Sequence, residues 1–93
     1  PVELYCSGYL EQEGQKLGRA SLSITLNQEA REAIVTGLPY FAPFSIPLIA
    51  EAHQYSQKIP GMRFYLDRLN QSVLYEYEGL SLSGSCERSY TLL

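Results

Sequence analysis

Cys6 and Cys86 are the only thiols in a chain of 93 residues, and the chemistry open to such a pair is oxidation to a disulfide. Each lies in a strict alternation. Across residues 2–10, Val2, Leu4, Cys6, Gly8 and Leu10 share one side; across 80–86, Leu80, Leu82, Gly84 and Cys86 do, with serines opposite. Alternate residues of a strand point to opposite faces, so both thiols point to the apolar side of a terminal strand. If those strands are neighbours, the thiols meet on the inner face of one sheet. A bridge closing so long a loop contributes roughly 4 kcal/mol in the chain-entropy account. That is a large share of the ~5–15 kcal/mol typical of a domain. It also implies an oxidising compartment. The competing reading is two free, buried thiols in a cytosolic protein.

Other reactive groups are sparse. His53 is the only histidine and stands near Glu51 and Tyr55; a base or ligand role competes with a half-exposed structural one. Metal sites want three or four clustered ligands, and two cysteines used as a bridge leave too few. Acid pairs occur at Glu11/Glu13, Glu29/Glu32 and Glu76/Glu78. Acid–base catalysis needs carboxylates facing across a cleft with separated pKa values, whereas these read as loops or outer strand faces. There is no Gly-x-Ser-x-Gly nucleophile motif and no glycine-rich phosphate loop. The expectation is a protein that is not an enzyme, with no catalytic residue, metal or cofactor.

The segment 38–47, Leu-Pro-Tyr-Phe-Ala-Pro-Phe-Ser-Ile-Pro, is the strongest candidate for a role beyond the core. Its three prolines oppose regular structure, while Tyr40, Phe41, Phe44 and Ile46 make it apolar. Two readings compete: a plug folded onto one end of the core, or an exposed patch that meets a partner or ligand. On the first strand, Tyr5 and Tyr9 alternate with Ser7 on the face opposite Cys6. That stripe could bind a protein edge or a sugar; cross-strand tyrosine packing is the alternative.

These groups must be positioned by one domain spanning 1–93, large enough for one modest core. The net charge is −3, and the seven basic residues form no run, which opposes nucleic-acid binding. No apolar run reaches the ~18 residues of a membrane-spanning helix. The chain begins at Pro1, without a methionine, and is expected to be a processed or trimmed form. Eight tyrosines suit strands.

Residues 21–26 alternate strictly, as do 62–67, 72–78 and 80–87, and each reads as a strand. Residues 11–18 read as a hairpin loop and 67–71 as a tight turn. Asn27 could cap a short helix over 28–33, against a β-branched strand at 33–36. Residues 48–59 offer a helical stripe of Leu48, Ala52, Tyr55 and Ile59 or a strand through Ile49, Glu51, His53 and Tyr55. The expected fold is all-β, a small antiparallel meander barrel or sandwich of about seven strands, with or without one short helix at 48–59; the alternative class is α+β.

The opening Tyr5-Cys6-Ser7-Gly8 and closing Gly84-Ser85-Cys86 resemble small exported bacterial β-barrel proteins whose first and last strands are tied by a disulfide, the C-type lysozyme inhibitor family among them. The Leu66-Asp67-Arg68 turn is similar to a pattern in bacterial envelope proteins. The resemblance covers about two-thirds of the chain. The inhibitors' Ser-Gly-x-basic-Tyr loop and tryptophan-containing strand have no counterpart here, so no inhibitory residue carries over. The resemblance implies a small, exported, all-β, disulfide-closed protein of the periplasm or cell envelope, or a secreted one. Its expected function is binding or inhibition through an unidentified protein partner. A carrier of a small apolar ligand and a structural or assembly subunit are the alternatives.

Overall fold

The computed structural model describes residues 1–38 and 41–88. Nine strands occur among them: β1 (Val2–Gln12), β2 (Gln15–Asn27), β3 (Glu32–Thr36), β4 (Phe44–Pro47), β5 (Ile49–Ala50), β6 (Gln54–Ile59), β7 (Met62–Asp67), β8 (Ser72–Tyr77) and β9 (Leu80–Arg88). They form one antiparallel sheet in the order β4-β3-β2-β1-β9-β8-β7-β6-β5. Each pairing joins sequence neighbours except one, which joins β1 to β9. The protein is all-β, and no helix occurs among the described residues.

The two outermost strands of that order, β4 and β5, are separated in sequence only by Leu48. They act as two halves of one stave, the first bonded to β3 and the second to β6. The sheet is therefore a nearly closed barrel of eight staves. Leu48 is buried and its amide donates to the Arg31 carbonyl at 2.7 Å. Beside it, the Gln57 side-chain amide donates to the Pro47 carbonyl at 2.9 Å, linking the two edges. An eight-stranded barrel has an interior that side chains just fill. Here it is filled by Leu4, Leu22, Ile24, Ile46, Phe64, Leu66, Tyr75, Leu82 and their neighbours in one apolar cluster.

Both helical alternatives resolve as β-structure. The Asn27 side chain does accept the Ala30 amide, at 3.0 Å, which is the bond a helix cap would make. The chain then enters the left-handed region at Arg31, φ 52°, which ends any helix and starts β3. Residues 48–59 form β5, a turn and β6, because pairing Tyr55 with Leu66 and Ala50 buries the tyrosine ring in the barrel. The strand count exceeds the expected seven because this stretch divides and because 44–47, despite its flanking prolines, pairs with β3. Residues 11–18 are also more ordered than expected. β1 and β2 continue through them to a two-residue turn at Glu13 (φ 49°) and Gly14 (φ 82°). Most of these residues are exposed, so the arm projects beyond the core and no face of it is required to be apolar.

The β1–β9 pair joins the first strand to the last. Cys6 lies directly opposite Cys86, with Cα atoms 3.9 Å apart and the Sγ atoms at bonding distance, 2.06 Å. Gly8 lies opposite Gly84 on the same face. A Cβ on Gly8 would sit 1.9 Å from the Ser83 carbonyl oxygen, and one on Gly84 would sit 2.1 Å from that of Ser7. The obstacle is backbone, which cannot rotate aside. Gly8→Ala and Gly84→Ala are each expected to destabilise the fold by about 1–3 kcal/mol, the usual cost of overpacking. Urea denaturation checks this; an unchanged midpoint in both would refute so close an approach.

Candidate functional site

The two ends of the barrel are built differently. At one end the segment expected to be a plug or a patch lies against the core. Leu38 and Ile46 are buried, Ile46 being only 2% exposed. Phe41 and Phe44 are half-buried. Phe44 stacks at a tilt on Tyr75, centroids 5.6 Å apart, and Phe41 meets Tyr77 edge-on at 5.8 Å. Phe41 also meets Tyr75 edge-on at 6.4 Å. Such pairs each add about 0.5–1.5 kcal/mol beyond their area. Burial, with a further contribution from Tyr77, pushes the Tyr75 phenol above its ordinary pKa. Tyr40 lies outside the described residues. Of the four candidates in this segment, Ile46 is a core residue, and Phe41 and Phe44 turn part of their rings inward.

Among the described residues, the opposite end leaves a cavity. There the inward columns of the strands run from apolar to polar. The phase of Leu22, Ile24 and Leu26 continues to Gln28, that of Phe64 and Leu66 to Arg68, that of Tyr75 and Val73 back to Gln71, and that of Leu82 and Cys86 to Arg88. These four polar residues, together with Asp67, rim a cavity of about 200 Å³. Its floor is Leu4, Leu26, Leu66 and Tyr55, all buried, with Val2 half-buried at the side. A second cleft of about 430 Å³ adjoins it and shares Val2, Gln28 and Arg88.

Two turns of similar design hold this rim. In one, the Asn27 carboxamide oxygen accepts the Ala30 amide; in the other, Asp67 Oδ1 accepts the amides of Leu69 (2.8 Å) and Asn70 (3.0 Å). Each turn ends on a left-handed residue, Arg31 (φ 52°) or Gln71 (φ 59°), a conformation uncommon outside glycine. The Gln71 carbonyl accepts the Cys86 amide at 2.8 Å, which ties the second turn to the disulfide-bearing strand. Arg68 is held from two sides. Its guanidinium lies 4.7 Å from the Tyr55 ring centroid and donates to the Glu51 carbonyl at 2.8 Å. Gln28 Nε2 donates to the Tyr55 hydroxyl at 3.3 Å, across the mouth.

His53 lies exposed in the β5–β6 turn, where its carbonyl accepts the Arg68 amide at 2.7 Å. Among the described residues no three His, Cys, Asp or Glu side chains gather as a metal site would require. Of the acid pairs, Glu76 forms an ion pair with Arg63 across β7 and β8, while Glu13 and Glu78 sit in turns at the far end. On the outer wall, Ser21, Ser7, Ser85 and Ser72 form a row across four strands. Tyr5 (58% exposed) and Tyr9 (54%) flank Ser7, with the Arg19 guanidinium 5.5 Å from the Tyr9 ring centroid.

Of the polar rim, the sequence reading names Asp67 and Arg68 only as part of a turn, yet the rim as a group carries a signal. Each column breaks from apolar to Gln or Arg at the same end, and recognising that requires the strand directions.

Architecture and disulfide place the chain in the class of small, antiparallel, up-and-down β-barrels with covalently joined terminal strands. Comparison with known proteins finds no matching family model, curated relative or solved structure.

Two outcomes follow from the site. Phe44→Ala is expected to cost about 2–3 kcal/mol, below the 3–5 of a fully buried ring, with a thermal melt as the check; an unchanged melting temperature would show that the ring does not contribute to the core. The second concerns acid. The amides of Asn70 and Leu69, and to a lesser extent the charge of His53, hold the Asp67 carboxyl below its ordinary pKa. A carboxyl depressed on folding stabilises the fold above its unfolded pKa, and that contribution is lost as pH falls through the folded value. Asp67→Asn retains a cap of the kind Asn27 provides but removes the titration. The variant is therefore expected to lose less stability than the parent between neutral pH and pH 2; identical acid profiles would contradict this.

Proposed function

We propose that this protein is a small exported binding or inhibitor-type module, working by protein–protein contact at the open mouth of the barrel. The carrying observation, among the described residues, is a cavity at one end with an apolar floor and a polar rim held by hydrogen bonds, where the other end shows ring-on-ring packing. Binding energy concentrates where a side chain leaves water for a pocket, and a rim held by hydrogen bonds lowers the ordering cost of association. The packed interior favours this reading over an apolar-ligand carrier. A cavity of about 200 Å³ is also below the ~300–1,000 Å³ usual for small-molecule pockets. The resemblance of the terminal strands to exported inhibitors supports the class, and a cysteine pair at bonding distance is compatible with an oxidising location such as the periplasm.

The test is comparative capture from a bacterial envelope extract using the folded protein, a mouth variant (Arg68→Glu with Gln71→Glu) and an outer-wall variant (Tyr5→Ala with Tyr9→Ala). One species is expected on the parent and outer-wall proteins and at least tenfold less of it on the mouth variant, at matched melting temperature. Equal capture by parent and mouth variant would move the binding surface elsewhere.

A further inference from the structure

The polarity of the mouth cavity restricts what can enter it. Depth is set by burial: Leu4, Leu26 and Leu66 are at the bottom, whereas Gln28, Arg68 and Arg88 are exposed at the rim. An acidic side chain entering from outside would carry its charge to the apolar floor, where desolvation opposes it. A group that fits must be apolar at its tip and polar at its base.

The rim then selects the polar part. A guanidinium has five N–H donors and no acceptor, and a glutamine amide supplies two more. At Arg68 the Glu51 carbonyl takes one of the five, and the guanidinium lies over the ring of Tyr55. Gln28 and Gln71 stand on neighbouring parts of the rim with Arg88. Guanidinium groups suit planar, two-oxygen acceptors. Asp67 also lines the cavity; its Oδ1 accepts two amides of its own turn, which disperse its charge, and the guanidiniums and amides of the rim outnumber it.

We infer that the mouth cavity is a carboxylate site, taking an apolar side chain on its floor while the carboxylate attached at the base of that side chain meets Arg68 and the glutamines of the rim. Two sources share this chemistry: the C-terminal residue of a polypeptide that ends in a medium-sized apolar side chain, and a short free fatty acid. The volume, about 200 Å³, is below the ~300–1,000 Å³ usual for small-molecule pockets and suits one such side chain. The inference rests on the open mouth being the binding end.

Titration by two-dimensional NMR tests it with three probes: acetyl-Gly-Gly-Leu with a free carboxyl terminus, the same peptide as its carboxamide, and hexanoate. The free-acid peptide is expected to shift the methyl resonances of Val2, Leu26 and Leu66, and the carboxamide to bind at least tenfold more weakly. Arg68→Gln should weaken the free acid by at least tenfold. Gln28→Glu, which places a like charge on the rim without removing the Tyr55 stack, should do the same if Arg68→Gln fails to fold. Arg19→Gln, on the outer wall, should change nothing. Tighter binding of the peptide than hexanoate assigns the site to a polypeptide terminus; the reverse assigns it to a free acid. Equal affinity for acid and carboxamide, shifts confined to other residues, or no shift at millimolar probe would overturn the inference. If the mouth variant still loses its captured species in that case, the binding reading survives and only the carboxylate assignment falls.

Discussion

The first and last strands lie side by side, and the remainder of the architecture depends on that pairing. Every other pairing in the sheet joins sequence neighbours, which is local and entropically cheap. The β1–β9 ladder alone brings together residues some 80 positions apart, so it bears the loop-closure cost of the whole fold. Two features offset that cost on the same face. The Cys6–Cys86 bond removes the open loop from the unfolded ensemble, and the Gly8–Gly84 pair lets the backbones approach more closely than any side chain would permit.

Closure on the other side of the barrel is achieved without a second long-range ladder. The stave comprising β4 and β5 changes partner at Leu48, bonding first to β3 and then to β6. An open sheet would leave two edges free to pair with other chains. Here the polypeptide itself passes from one edge to the other, and Gln57 bonds across the join. The described core is one packed apolar cluster, which leaves the polar groups of the barrel to its ends and its outer wall.

Those ends diverge for a chemical reason. Aromatic side chains from 38–47 and β8 cover one end with ring-on-ring packing. The other is edged by turns whose backbone is held by Asn27 and Asp67 and whose side chains are amides and guanidiniums. The turn at Asp67–Gln71 is bonded to β9 through the Cys86 amide, so the rim and the disulfide share a framework.

Much of this barrel is legible from local pattern. Alternation in 2–10, 21–26, 62–67 and 80–87 is enough to establish strands and their inward faces, because a strand's two-residue period is a property of a single segment. The common inward phase of Cys6 and Cys86 follows from the same rule, as does the apolar character of 38–47. Other features depend on partners distant in sequence. Residues 48–59 carry both a helical stripe and a strand face, and only the chance to bury Tyr55 against Leu66 selects the strand. Asn27 makes the bond of a helix cap, and the geometry of a hairpin turns it to another use. Phe41 and Phe44 gained a destination only when β8 placed Tyr75 and Tyr77 beside them. The polar rim is the clearest case. Gln28, Arg68, Gln71 and Arg88 are unremarkable one at a time, and they become one site because alternate strands run in opposite directions and deliver their ends to the same mouth. Local sequence determines which way a residue faces; which residues it faces is set by the closure of the barrel.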